Sequence, residues 1–373
     1  VSQQSIEKIL SDRPDLVAIS ALTASIDEAY RPSARLRAQR IPTVIGGLHA
    51  SVCPDDAEMH CDSVVVGRGE SVCSQVLNDV LAGTLQRRYV VPLNTMPLWP
   101  MPRFDLLPQA PARFTPQTQA GCPLACGFCR ASRLLSRFAE KPVERIREEL
   151  AVIQRLMPRP RIELADDNTF AGSRDVNPLF NALQDAGARW FTEADWRIGG
   201  RPAILQRLAS SGCQQALMGI ESLVFRYLGM GEKQAELNRI MDAADAIQNA
   251  KVAVNGCFII GADGEIAESL ESLTEFLLNC SLAEIQITLQ TPFPGTSLYR
   301  QLQSEGRLLT ERGWSAYTLF DVTYRPDCMT VEYLEAGFRN VLRRVFFASA
   351  SQRRNQIRRQ IHRNARQFVR KAS

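Results

Sequence analysis

Three cysteines stand within eight residues of one another, in the run Gly121-Cys122-Pro123-Leu124-Ala125-Cys126-Gly127-Phe128-Cys129. Three thiolates with this Cys-x3-Cys-x2-Cys spacing can converge on three irons of a cubane cluster, for which thiolate is the usual protein ligand. Such a set leaves one iron without a protein ligand. Catalytic metal sites keep an open position of this kind for a substrate or cofactor. Three buried thiols in a loop, or a zinc site, are the other readings of the same residues. Zinc would want a fourth ligand, and the three histidines, His49, His60 and His362, are all remote from the cysteines in sequence.

A loop like this needs a scaffold, and the flanking sequence supplies a repeating one. Candidate strands lie at 114–120, 161–164, 190–196, 215–219, 254–260 and 284–289, with helical stretches at 143–156, 176–186, 203–211, 233–250 and 267–279 between them. Strict alternation of strand and helix predicts an α/β fold with a parallel sheet. A full barrel has eight units; the count here predicts a partial, six-unit TIM-like β/α barrel, with the cysteines directly after its first strand.

The first ~85 residues carry a second α/β pattern. Leu16-Val17-Ala18-Ile19-Ser20, Thr43-Val44-Ile45-Gly46-Gly47 and Ser63-Val64-Val65-Val66-Gly67 are continuous apolar runs, as parallel strands buried on both faces require. Helical patterns separate them, so a Rossmann-like sheet is expected, with ligands beyond the strand ends where Gly46, Gly47 and Gly67 fall. Residues 90–113 hold six prolines, which neither a helix interior nor a central strand accepts. The expected domains are therefore 1–88, a partial Rossmann-like unit; 89–113, a linker; 114–296, the barrel; and 297–373, a helical C-terminal region.

The chain has 373 residues, 45% hydrophobic and 23% charged, which suits a soluble globular protein of two or three domains. No apolar run reaches the ~18–20 residues of a membrane span, and no secretory signal is visible at the N-terminus. The other seven cysteines sit in apolar or mixed segments, a usage that fits a reducing cytoplasm better than a disulfide framework. The expected location is cytoplasmic, or peripheral to a membrane for the following reason. From Arg339 to Ser373 there is no Asp or Glu, while Arg and Lys recur. That tail reads as a solvated basic terminus, or as a helix lying on an anionic membrane surface; nucleic acid is not the expected partner, because no base-reading motif accompanies the charge.

Cys-x3-Cys-x-Phe-Cys after the first strand of a six-unit barrel resembles the radical S-adenosylmethionine (SAM) superfamily, over residues 114–296. The resemblance implies a [4Fe–4S] cluster on Cys122, Cys126 and Cys129, whose open iron chelates SAM. Electron transfer from a reductant such as flavodoxin or ferredoxin then cleaves SAM to begin radical chemistry on a small organic substrate. It further implies SAM contacts from Phe128, near the adenine; from Asp166, Asp167 and Asn168, at the amino group; from Glu221 with Ser222, at the ribose; and from Lys233, at the carboxylate. Residues 256–261 would pass backbone along the adenine. Two carboxylates side by side at a strand end, and a cation at the start of a helix against its dipole, are what a ligand would justify.

Ile45-Gly46-Gly47-Leu48-His49-Ala50-Ser51 and Val66-Gly67-Arg68-Gly69-Glu70 resemble the cobalamin-binding domain of one branch of that superfamily. The branch includes magnesium-protoporphyrin ester cyclases, hopanoid methylases and natural-product methyltransferases. Pro292-Phe293-Pro294-Gly295-Thr296 and Glu305-Gly306-Arg307 fit the same branch. Domains that ligate cobalt from below carry Asp-x-His-x-x-Gly, which does not occur here, and the expected sheet begins after that element. His49 follows the Gly-Gly turn and reads as a loop histidine. The expectation is weak or absent cobalamin. Methylation, cyclisation or rearrangement in cofactor, lipid or natural-product biosynthesis is the implied function. A non-catalytic Fe–S or SAM-binding protein is the alternative, distinguished by whether reconstituted protein cleaves SAM.

Overall fold

The computed structural model describes residues 3–107, 109–130, 135, 137–233 and 235–372, with side chains at all of these except 3–5, 232 and 366–372. Packing divides the chain into two discontinuous units: 1–100 with 127–139 and 291–325, and 101–126 with 140–290 and 326–373.

The first unit holds a parallel sheet of β1 (Val17–Ser20), β2 (Thr43–Gly46), β3 (Ser63–Val66) and β4 (Arg88–Val90), in that order. The helices are α1 (Gln3–Asp12), α2 (Ile26–Ala38), the short α3 (Leu48–Val52) and α4 (Pro54–Glu58), and α5 (Cys73–Ala82). Ile26, Tyr30, Ile45, Ala50 and Val64 pack in one cluster and Val44, Val65, Val76 and Tyr89 in another. Successive residues of β2 and β3 thus enter different cores, which is why these strands are unbroken apolar runs. The fourth strand straddles the expected boundary at 88/89; three residues beside Pro92 are too few to show a pattern. Gly47 and Gly67 both have φ of +91°. A Cβ on Gly67 would lie 2.8 Å from the Val91 carbonyl oxygen, so the turn leaving β3 admits only glycine.

Two two-residue strands follow, β5 (Gln119–Ala120) and β6 (Ala139–Glu140). The second unit is then built on α6 (Val143–Leu156), β7 (Arg161–Glu163), α7 (Asn177–Asp185), β8 (Arg189–Ala194), α8 (Pro202–Ser210), β9 (Cys213–Glu221), α9 (Leu237–Asn249), β10 (Ala253–Ile260), α10 (Ala267–Asn279) and β11 (Glu284–Leu289). Strands β7 to β11 lie in sequence order and are all parallel. Phe114 adds a parallel bridge to Ile162 on the free side of β7. An order without reversal is that of a barrel wall rather than of a doubly wound sheet, and six strand positions make it a partial one.

Burial alternates along these strands. Trp190, Ala216, Met218, Val254 and Phe258 are buried, with Trp190 beside Phe180 of α7 and Phe258 beside Phe276 of α10. The half-buried set between them is Glu163, Phe191, Glu193, Gln215, Leu217, Gly219, Asn255, Cys257 and Ile259. Period-2 geometry puts this second set on the inner face. The inner wall is therefore markedly polar.

After α11 (Ser297–Ser304), which belongs to the first unit, α12 (Val331–Val345) and α13 (Ala348–Ala372) return to the second. Here the expectation of a solvated basic tail is corrected for four of its arginines. Arg344 makes a bidentate pair with Glu271, and Arg353 donates to the carbonyls of Leu278 and Asn279 at the end of α10. Arg354, itself buried, donates to the Val345 carbonyl at the end of α12, and Arg358 pairs with Glu284 at 3.1 Å. Helix ends leave carbonyls unpaired and carry partial negative charge, so the arginines cap the neighbours they pack on. Ile361, with Ile357, packs against Ala253 and Ala283, the first residue of β10 and the residue before β11. The side chains of Arg366, Arg370 and Lys371 lie outside the described residues.

Candidate active site

Cys122 and Cys126 sit in the loop that follows β5. The loop is tied down by a hydrogen bond from the Ala125 amide to the Gly229 carbonyl, 3.2 Å. Gly229 has φ of +78°, and a Cβ there would overlap the Ala125 carbonyl oxygen. Burial pushes both thiols up from their usual range, while the Lys233 ammonium pulls both the other way. Both thiols thus feel the field of a cation, and a bound metal would take the place of a thiol proton. Phe128 and Cys129 lie on the segment 127–139, which packs with the first unit; Cys129 is exposed. Among the described residues no three Cys, His, Asp or Glu side chains are set to hold a single metal ion. A cubane spreads its thiolates over separate irons, so its ligands need not point at one centre.

Of the three residues expected at the SAM amino group, two are turned into the scaffold. Asp166 is 2% exposed and accepts from the Thr118 and Gln119 amides, at 2.7 and 3.0 Å, and from the hydroxyls of Thr118 and Thr169. Its carboxylate is filled by the backbone and hydroxyls of the segment it braces. Asn168 is buried too, donating to Asp195 at 2.8 Å while its backbone carbonyl accepts from Gln119. Asp167 remains half-buried, close enough to Cys122 to raise its thiol further.

Glu221 and Lys233 form an ion pair at 2.5 Å, with side chains 8% and 13% exposed. Glu221 ends β9 with φ of +68°, and Gly219, two residues earlier, leaves the room: a Cβ there would lie 2.7 Å from Lys233 Nζ. Burial opposes the charge on Lys233, but Glu221, with Cys126 and Asp195, more than offsets it, and the ammonium titrates above its ordinary value. Lys233 lies in a short turn at Gly231–Lys233, four residues before α9 begins at Leu237. The expected opposition to a helix dipole therefore does not arise. Ser222, expected beside Glu221 at the ribose, is buried, donates to Glu265 at 2.7 Å and accepts from the Val224 and Phe225 amides. Its hydroxyl is a loop brace.

Comparison with known proteins places these parts. Residues 1–77 match the B12 binding domain, and residues 117–277 match the radical SAM superfamily. This chain carries a B12-binding domain followed by a radical SAM domain. Among its relatives is the bacteriochlorophyllide d C-12(1)-methyltransferase of Chlorobaculum tepidum, 26% identical over 92% of this chain and 77% of that protein. Two solved structures share the fold. One is the cobalamin-dependent radical enzyme OxsB with aqua-cobalamin and SAM bound, with a TM-score of 0.69 and 14% identity over 90% of this chain, which spans 59% of the OxsB chain. The other is the methyltransferase TsrM of Kitasatospora setae with cobalamin and a [4Fe–4S] cluster bound, with a TM-score of 0.65 and 13% identity over 98% of this chain and 91% of that one.

The radical SAM domain implies a [4Fe–4S] cluster and SAM, and the second unit fits them through two half-buried thiols beside a paired lysine. In the B12-binding domain the histidines are engaged. His49 is fully buried, contacts Asp56 at 3.1 Å and Thr23 at 3.4 Å, and packs edge-on to Trp314. Burial holds its imidazole below the usual range, with Asp56 acting the other way. His60 stacks on Tyr30 at 3.9 Å. Neither is presented as a cobalt ligand, so the domain fits cobalamin only in a form that takes no imidazole from this sheet. His49, expected to be a loop histidine, is a core residue.

Sequence reasoning missed several groups around the barrel mouth. Asp195 caps the turn at Trp196–Gly200 and pairs with Arg197 at 2.8 Å, and the Trp196 indole donates to the Lys233 carbonyl at 2.7 Å. Glu193 and Cys257 face inward from β8 and β10. Only the alternation along each strand could have found these two, and it becomes readable once the register is known.

Proposed function

We propose that this chain transfers a methyl group to an unactivated carbon of a small organic substrate by SAM-dependent radical chemistry, using cobalamin as the methyl carrier. Bound together, the cluster and SAM supply the one-electron cleavage that begins such chemistry. Cys122, Cys126 and Cys129 would hold three irons. The Glu221–Lys233 pair, set beside Cys126, would meet the ribose hydroxyls and carboxylate of SAM, with Asp167 taking its amino group and Phe128 the adenine. The polar inner wall and the helices outside it would keep bulk water from the reacting carbon. The observation that carries this reading is the Lys233–Glu221 pair beside half-buried cysteine thiols, in a barrel that follows a B12-binding domain. Methyltransferase relatives favour methylation over cyclisation; the missing Asp-x-His-x-x-Gly and the engaged His49 favour a cobalamin-free rearrangement as the second reading. A flavodoxin or ferredoxin would supply the electron.

Anaerobic reconstitution tests the reading. The chain should take up about four irons and, with SAM and reductant, release 5′-deoxyadenosine. Changing Cys122, Cys126 or Cys129 to Ala should abolish both. Three single variants that all retain a full cluster would refute the assignment.

A further inference from the structure

Glu193 is the inner-wall group that the proposed function leaves idle. It lies on β8 opposite Leu217 of β9, and its backbone carbonyl accepts from the Thr169 amide at 3.0 Å. The side chain is half-buried on the inner face. Among the described residues, no hydrogen bond or ion pair reaches its carboxyl. The charges that face it are Asp167 and Asp166 beyond the end of β7, Glu163 on β7, Lys233 from the turn after β9, and the Cys257 thiol on β10. Two of these already have counter-charges. Glu163 pairs with Arg113 at 2.6 Å and Lys233 with Glu221 at 2.5 Å. Burial, then Asp167 and Glu163, push the Glu193 carboxyl up to about 7, and Lys233 only partly opposes them.

Glu193 is thus a carboxyl at the barrel mouth with which no protein cation pairs among the described residues. A ligand bringing a positive charge would balance it. Parallel barrels take their ligands at this end, and SAM carries a fixed positive charge on sulfur. We propose that Glu193 is an electrostatic partner of the SAM sulfonium and lets the barrel distinguish SAM from its neutral thioether, S-adenosylhomocysteine. This rests on the reading of the barrel as a SAM site. In its terms Glu193 is protonated and indifferent below neutrality. Above neutrality it is ionised, and an attraction across several ångströms of partly buried space is worth roughly tenfold in affinity.

The test uses cluster-loaded chain without reductant, so that SAM is not consumed. Calorimetry gives the dissociation constants of SAM and of S-adenosylhomocysteine at about pH 6 and about pH 8. With the carboxyl titrating near 7, its ionised fraction goes from roughly one tenth to nine tenths across this range. The preference for SAM should then rise about fivefold in the native chain. It should rise similarly in Glu193→Asp, which keeps the charge, and by clearly less in Glu193→Gln, which removes it. Titration of the SAM amino group is common to all three proteins and cancels in the comparison. A native chain that binds SAM with a preference flat in pH overturns the role of Glu193 alone, as does a Glu193→Gln chain with the native rise. A native chain that binds SAM at neither pH overturns the SAM reading together with this one.

Discussion

Asp166 and Glu193 show what separates a scaffold carboxylate from a working one. The sequence places Asp166 next to Asp167 at a strand end and makes both look costly without a ligand. The fold resolves the cost differently for each. Asp166 points back at Thr118 and Gln119, where two amides and two hydroxyls fill it. Its neighbour stays near Cys122. Nothing in a single sequence tells which of two adjacent aspartates turns inward, because that depends on where an amide from a strand some 48 residues earlier comes to lie. Asp166→Ala should therefore cost about 2–4 kcal/mol of stability by leaving buried donors unpaired, read as a lower unfolding midpoint. Unchanged stability with weakened SAM binding would return Asp166 to the ligand set. Glu221 and Lys233 were legible as site residues one at a time. Their mutual ion pair was not, since it needs the empty space above Gly219.

At the scale of elements the sequence was more transparent. Helices at 143–156 and 267–279 have the expected bounds, because strong amphipathic patterns there meet clear breaks. Five barrel strands were visible through alternation with helices; of the sixth, expected at 114–120, only the Phe114 bridge joins the sheet. β4 was not visible, being three residues long beside a proline-rich stretch. The basic tail was legible only in part, for a different reason. Charge without acids in the same segment looks solvated, yet the partners of these arginines are backbone carbonyls and acids of distant helices and strands, invisible to a local count. Ending the chain after Ser351 removes Ile357, Ile361 and the Arg358–Glu284 pair. Buried Ile361 contributes roughly 1.5–3 kcal/mol and half-buried Ile357 less, and the half-exposed ion pair little, so the truncated barrel should unfold about 3 kcal/mol more easily. Full-length chain should sediment with anionic vesicles no better than the truncated form. Equal stability of the two, with vesicle binding confined to the full-length chain, would make α13 a membrane element instead.

For the molecule as a whole, the open issue is whether the first unit holds cobalamin. Two observations pull apart. Residues 1–77 match the B12 binding domain, and both unit-1 histidines are committed to packing. The expectation of weak or absent cobalamin rested on a missing motif, Asp-x-His-x-x-Gly. That motif supplies a cobalt ligand; it does not build the sheet or the glycine turns at Gly47 and Gly67, which are present. Binding without a protein imidazole reconciles the two. We therefore expect cobalamin to stay with the chain through gel filtration. Its cobalt(II) electron paramagnetic resonance should show no nitrogen splitting from a histidine. His49→Ala should lower stability, since it empties a buried site next to Asp56 and Trp314, and leave that spectrum unchanged. Loss of a nitrogen splitting in His49→Ala would mean that the imidazole leaves its pocket to reach cobalt. A native chain that emerges free of cobalamin would instead favour rearrangement over methyl transfer, because the barrel chemistry would then run without a methyl carrier.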